Sequence, residues 1–427
     1  MANQAFSTSA LARCLSRGDF YDDPRLSEDE FRNSVLDYAF QLSQCDQDKE
    51  ISIRKIKLGE KIGYTAGNIA SKLVLRRCKK NLQSAFKIRT SNRQSISREI
   101  PIYLKEGTCY RVYRLDIKSF FESVSVGSVL QVLDASDKLS SQTKAVIRKI
   151  LETFSQKHGP GIPRGVEISP IISEVILSDY DNSLRAHQEI FYFSRFVDDV
   201  LIITSANEGE EEFYSWLCSI LPCPLSYNSA KTKVYSAPLR KKAGAANPDG
   251  KLIMDFDFLG YNYAVYDSPL PSKKPNGPEN ENMAGVIYRR VSVDIDGKKI
   301  NKMKERVCKA LFNFSRTGDF DLLCDRVRFL TSNREFKNKD ADKRIPTGIY
   351  YNYASIDFPS IKLKELDGFF ERAITNTTGR LARTFSGKLN KVQRAKLLKL
   401  TFSSGFERRA HRKFSLNKLK EITRVWL

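Results

Sequence analysis

The chain of 427 residues is most informative at first for what it lacks. It has no run of about 18 apolar residues, the length a membrane-crossing helix needs. The opening residues, MANQAFSTSALARCLSRGDF, do not show the charged-then-apolar layout of a secretion signal. The eight cysteines are scattered, with no CxxC pair and only Cys218 and Cys223 close together. That spacing argues against a disulfide frame or a zinc site and for free thiols in a reducing cytoplasm. His158, His187 and His411 are the only histidines and stand too far apart in sequence for a zinc motif. There is no internal repeat and no long low-complexity tract. With 41% hydrophobic residues and a mean hydropathy of −0.41, the composition is that of a globular chain rather than a disordered one. Its length allows two or three domains, each with a real core.

Positive charge is abundant. Lys and Arg number 71 against 50 Asp and Glu, a net +21, and the excess is uneven. Residues 361–427 hold 17 Lys and Arg against 5 Asp and Glu, so +12 of the +21 lies there. A phosphate backbone suits such a concentration, because its binding is driven largely by counterion release. A solvated basic face that serves only solubility is the plainer alternative.

Patterning along the chain predicts an α+β protein. Residues 1 to about 85 read as mostly helical, with Ser27 and Glu30 set as a capping pair before helical apolar spacing. RVYRLDIKSFFESV reads as a strand entering a turn, ISPIISEVILSDYDNSLRAH as helix, and IFYFSRFVDDVLIIT as two β-rich runs meeting at Asp198 and Asp199. EGEEEFYSWLCSIL is a helix with acids in its first turn, where the macrodipole favours them. FKIRTSNRQSIS is basic and strand-compatible, and DFDFLGYNYAVY is strand-like. Residues 268–283 are rich in Pro, Asn and Gly and read as a loop or linker, while VIYRRVSVDIDGKK suggests a hairpin turning at Asp296-Gly297. The rest reads as mainly helical and basic.

Within this pattern, Asp198 and Asp199 interrupt a run that would otherwise bury Phe and Val. An isolated Asp pair is ordinarily a turn or a cap. Asp116, in YRLDIKSFF, is a further acid among apolar neighbours at a strand end. A carboxylate removed from water needs positive charge nearby. Three aspartates on two neighbouring strands form the donor set that hard divalent cations require for phosphoryl transfer.

In chain order the sequence reads LDIKSFFESV, GIPRGVEISPIISEVILSDYD, FVDD, NSAKTKV and FLGY. This series resembles the successive palm motifs of reverse transcriptases: first metal aspartate, template-side loop and helix, aspartate hairpin, lysine motif and primer grip. The resemblance runs from about residue 88 to 263, with looser likeness to about 332. EGTCYRVYRLDIKSFFES and the FVDD variant resemble the bacterial defence-associated lineages, the abortive-infection and unknown groups. Among these the chain most nearly resembles the smaller enzyme of the type 3 system, in which two reverse transcriptases act with a non-coding RNA.

The resemblance implies a right-hand polymerase: fingers, a palm with an RRM-like antiparallel sheet, a helical thumb and a basic helical C-terminal extension. The expected segments are 1–85 helical, 86–265 fingers and palm, 266–285 linker, 286–335 thumb-like and 336–427 basic and helical. Asp116, Asp198 and Asp199, with the Ile117 carbonyl, are expected to hold two Mg²⁺ ions, with Mn²⁺ as a substitute. Ser119 and Phe120 would offer backbone amides to the incoming triphosphate. Phe121 matches the steric gate that crowds a ribose 2′-OH, core packing being the alternative. Arg164 and Gly165 lie where the loop meets the nascent pair, but many relatives carry Gln at the Arg164 position, and the usual hairpin Tyr is Phe196 here. Lys231 would serve as acid or charge neutraliser near pyrophosphate, with Lys233 competing for that role. Lys87, Arg89 and Arg93, Arg93 foremost, would clamp triphosphate. Phe258, Leu259, Gly260 and Tyr261 would press on the primer.

Implied partners are a non-coding RNA template or scaffold, dNTPs, the DNA product, a companion reverse transcriptase and a higher-order complex in the bacterial cytoplasm, with no membrane. Retron- or intron-type enzymes would share the chemistry. So would a template-independent or protein-primed polymerase, to which tyrosines such as those in GIYYNYASID would offer hydroxyls. A silent RNA-binding scaffold is the non-enzyme alternative, and the presence of all three aspartates opposes it.

Overall fold

The computed structural model describes residues 3–45, 49–59, 61–88, 92–240, 250–269, 287–338, 343–376, 378 and 388–426. Helices and antiparallel sheets combine in two compact units, giving the α+β class expected from the sequence. The units are interleaved in the chain rather than serial. One is drawn from Met1–Asn92 and Cys109–Ser236, the other from Arg93–Thr108, Ala237–Lys337 and Lys343–Leu427. Among the described residues no helix is long and apolar enough to cross a membrane.

The first unit opens with short helices and the helix Asp29–Ser43, then a hairpin of β1 (Ile53–Leu58) and β2 (Lys61–Ala66). This hairpin departs from the helical reading of residues 1–85. The helix Ile69–Phe86 follows, capped where the Asn68 side chain accepts from the Ser71 amide at 2.8 Å. It buries Leu73, Val74, Leu75, Cys78 and Leu82 along one stripe. The central sheet has the order β4-β5-β3-β6, with β3 Tyr110–Asp116, β4 Ile190–Phe196, β5 Asp199–Thr204 and β6 Lys233–Ala237. β5 lies between β4 and β3, and Val200 to Thr204 are all buried, so this strand reads as a continuous apolar run rather than an alternation. The helices Ser141–His158, Ser169–Ile176 and Ser178–Ala186 supply Ile147, Ile172 and Tyr180 to the same core as Leu115 and Ile202.

The second unit contains the three-stranded meander β7 (Lys251–Phe258), β8 (Tyr261–Pro269) and β9 (Ile287–Ile295). Residues 270–286, most of the expected linker, lie outside the described residues. β9 does not turn back at Asp296-Gly297 as the sequence suggested. The Asp296 carboxylate accepts from the Lys298 amide at 2.6 Å and caps the helix Gly297–Thr317. An Asp-Gly pair serves a hairpin turn or an N-cap equally well, and here apolar residues at helical spacing follow it, with Ile300, Val307, Leu311 and Phe314 buried. The helices Phe320–Thr331 and Ile361–Thr375 pack on it. FKIRTSNRQSIS does not form a strand: Lys87 ends one helix with φ 51° and Arg93 begins another, Arg93–Leu104. A short hairpin, β10 (Asn333–Asn338) with β11 (Lys343–Gly348), stands within the stretch expected to be helical.

Candidate active site

The sheet itself brings the acids together. Asp116 ends β3 and pairs directly with Asp199, which begins β5. Directly opposed residues of antiparallel strands lie about 5 Å apart at Cα. The β4–β5 hairpin closes on the pair Phe196–Asp199, leaving Val197 and Asp198 as a two-residue turn. Val197 adopts φ 60°, a left-handed conformation a β-branched residue seldom accepts, but one that tight hairpins require at the first turn position. Two bonds hold the turn. The Ile117 amide donates to the Asp198 carbonyl at 2.9 Å, and Arg195 reaches the Val197 carbonyl at 3.3 Å.

Arg195 is buried between two carboxylates, Glu174 at 2.6 Å and Asp181 at 2.7 Å. Those partners hold its guanidinium charged against the cost of burial. The strand that presents the acids is thereby tied to the two helices behind it.

On the other side of β3, the Asn228 amide donates to the Asp116 carbonyl at 2.7 Å, and the turn from Asn228 carries Lys231 back over the strand end. Its ammonium lies 2.9 and 3.0 Å from the two oxygens of Asp116. Burial pushes the Asp199 carboxyl up to about 6, and repulsion from Asp198 and Asp116 adds to it. The Asp198 carboxyl is raised too, first by burial and then by Asp116, while Lys61 and Arg164 act against the rise. Three acids are thus concentrated with too little positive charge among them.

Among the described residues no three His, Cys, Asp or Glu side chains close into a ready-made metal cage. The donor chemistry nevertheless fits a divalent cation: hard carboxylate oxygens from two paired strand ends and the turn beside them, with Asp198 and Asp199 both raised by burial first and then by neighbouring carboxylates.

A cleft of about 580 Å³, a volume suited to one nucleotide, opens at Asp116 and Asp198, and Asp199 is not among its lining residues. Asp116, Asp198, Ile117, Ser119, Phe120, Arg164 and Lys231, all singled out from the sequence, line it. Ser119 takes φ 45° and starts the single turn Phe120–Ser123. Phe120 is buried, and Phe121 lies beneath Arg164, whose guanidinium is 4.9 Å from the ring centre. Arg164 is further held by a two-oxygen grip from Glu122, both contacts at 2.9 Å. Gly161, at φ 99°, lets its loop approach so closely that a Cβ there would lie 2.3 Å from the Phe121 carbonyl. The Ile162 amide donates to that same carbonyl at 2.8 Å. Gly165, φ 95°, follows in the loop.

The remaining sequence candidates are not among the residues that line this cleft. Lys87 lines a different cavity, with Gln4, Phe86 and Asp137. Arg89 lies outside the described residues. Arg93 belongs to the second unit, where it donates to the Leu259 carbonyl at 2.7 Å and stacks 5.1 Å from the Tyr261 ring. Phe258 and Tyr261 are buried in that unit, which leaves Leu259 and Gly260 as the half-buried turn between β7 and β8. Lys233 begins β6 and is exposed.

Sequence reasoning missed the contribution of β2. Lys61, Ile62 and Tyr64 line the cleft, and the Tyr64 amide donates to the Arg164 carbonyl at 2.8 Å. His158, given no role from sequence, also lines it, packed 5.1 Å from the Tyr64 ring. The alternation of Ile62 and Tyr64 with smaller residues was the available signal for a strand.

Residues 62–263 match the family described as reverse transcriptase (RNA-dependent DNA polymerase). The matched segment takes in just under half of the chain and includes the paired aspartates Asp116 and Asp199. No curated protein matches the chain. Among solved structures, apo telomerase from Candida tropicalis, truncated from its C-terminal domain, is similar at 14% identity and a TM-score of 0.33. The similarity covers 50% of this chain and 52% of that one, so the chain spans about half the length of that relative.

Proposed function

We propose that Asp116, Asp198 and Asp199 hold two Mg²⁺ ions for templated DNA synthesis on a dedicated non-coding RNA. The observation that carries this reading is the direct pairing of Asp116 with Asp199, with Asp198 in the adjoining turn and both hairpin acids raised by burial first and by neighbouring carboxylates second. When bound, the metal pair would activate the primer 3′-hydroxyl and stabilise charge on the phosphate under attack.

The chain's own residues do the rest. β3 and β5 fix Asp116 and Asp199 at directly paired strand ends and the hairpin turn sets Asp198 beside them, so their placement needs little rearrangement during reaction. Lys231 neutralises Asp116 and, set free by a cation at that carboxylate, is within reach of the leaving pyrophosphate. Lys61 and Arg164 give the opposite wall of the cleft the positive charge that a triphosphate requires. Glu122 orients Arg164 over Phe121, stiffening the ring that would crowd a 2′-hydroxyl.

The biological setting proposed is antiphage defence in a bacterial cytoplasm, with a companion reverse transcriptase in a larger complex. It rests on the order and wording of the palm motifs, above all FVDD and EGTCYRVYRLDIKSFFES. Primer extension with labelled dNTPs, Mg²⁺ and the co-purifying RNA tests the chemistry. Asp198→Asn is expected to abolish incorporation while RNA is still retained, and equal activity in that variant would reject the assigned acids. Sequencing the product before and after removal of the RNA separates templated from untemplated synthesis.

A further inference from the structure

The second unit has a cationic cleft of its own. The chain at His411 runs alongside β10 through a parallel bridge to Asn333, fixed by Asn333 N–H to the Ala410 carbonyl and Arg412 N–H to the Asn333 carbonyl, both 2.7 Å. Here a cavity of about 330 Å³ is lined by Arg334, Arg344, His411, Arg412 and Lys413. Glu335 is the sole acid among the described lining residues, and it is engaged by Arg344 at 3.3 Å.

Arg334 is the fixed member of the set. Its guanidinium carbon sits 3.5 Å over the Phe329 ring, and Nη1 donates to the Phe329 carbonyl at 2.9 Å. Phe329 is backed in turn by Trp426 and Phe414, at 5.5 and 6.2 Å. The Arg334 Nε is buried and has no partner among the described residues. Burial, with Arg306 nearby, brings the Arg334 guanidinium down to about 10, as expected of a cation lacking counter-charge. Phe336 stands exposed 5.4 Å from the same guanidinium.

A half-buried guanidinium with no carboxylate partner among the described residues favours an anion. An exposed aromatic ring near Arg412 and Lys413, which make no ion pair among the described residues, narrows the choice, because this pairing of charge with a stacking face is how single strands are held without sequence preference. A cavity of this volume takes one nucleotide rather than a double helix. We infer that this cleft binds a single-stranded segment of nucleic acid, with phosphates on Arg334, Arg412 and Lys413 and a base stacked on Phe336. The inference goes beyond the polymerase reading and uses none of the acids assigned to it.

The test uses the full chain carrying Asp198→Asn, in EDTA, so that its outcome does not depend on the polymerase reading. Fluorescence anisotropy with labelled oligouridine is followed across a salt series. For Arg412→Gln with Lys413→Gln, affinity is expected to fall about tenfold and the salt slope by about 1.4, the value for two single-strand phosphate contacts. Phe336→Ala is expected to lose about fivefold or more, the lower end for one stacked base. Arg412→Lys with Lys413→Arg, which keeps both charges, should retain the salt slope. Unchanged affinity and slope in the charge-neutralised chain would overturn the inference. So would a loss confined to polyglutamate binding, which would mark an acidic-peptide site. An equal loss for duplex RNA with no effect of Phe336→Ala would overturn it as well, because the face would then be a general basic surface.

Discussion

Replacing Asp199 with Asn should make the first unit more stable while removing its chemistry. Asp199 is raised from an ordinary 3.8 to about 6, by burial first and then by Asp198 and Asp116. Below about pH 4 the carboxyl is protonated in both native and unfolded chains, so the substitution changes little there. As pH rises toward 6 the unfolded chain releases this proton while the native one keeps it, and native stability falls through that window. Above pH 6 the loss is complete and amounts to at most about 3 kcal/mol. An amide of the same shape never incurs it. For a unit of this size that corresponds to a melting temperature higher by up to about 10 °C at pH 7.5.

The assay is thermal unfolding of native and Asp199→Asn chains at pH 4 and pH 7.5, in EDTA and again in Mg²⁺. The gap should open only at the higher pH and narrow when Mg²⁺ is added, because a cation bound to the native acids offsets their repulsion. Superimposed melting curves at pH 7.5 in EDTA would refute the reasoning, as would a gap of equal size at pH 4.

Arg195→Met should destabilise the first unit by about 3–5 kcal/mol, since Glu174 and Asp181 would be left without their cation, and chemical denaturation measures this directly. The companion change that also neutralises both acids should recover much of the loss. Gly161→Ala places a Cβ 2.3 Å from the Phe121 carbonyl at φ 99°, so a cost of about 2 kcal/mol or more is expected together with a higher KM for dNTPs. Phe121→Ala should admit ribonucleotides in primer extension, and unchanged sugar discrimination would remove its gate role.

The acids were legible in the sequence because burying a carboxylate is costly and three of them interrupt apolar runs at strand ends. The strands that present them were legible for the same reason: β5 is apolar from Val200 to Ile203 and bounded by a turn. The β1–β2 hairpin was not. In IRKIKLGEKIGYTA the apolar residues at 53, 56 and 58 fall nearer to helical than to alternating spacing, so the pattern favours helix until tertiary pairing overrides it. The helix that begins at Arg93 was not legible because residues 87–93 mix basic and small polar types that fit strand or loop, and nothing local marks the change of unit at Asn92. Phe258 and Tyr261 show the same limit. Their aromatic character was plain, but which way they face depends on packing within the β7–β9 meander.

The two-residue turn at Val197 and Asp198 also restricts how this protein can diverge. Side chains on a strand swap faces with every one-residue slip, so inserting or deleting a single residue there would turn Asp199 away from Asp116 even if every aspartate were kept. Descendants of this chain are therefore free to vary Val197 but neither Asp198 nor the length of the turn.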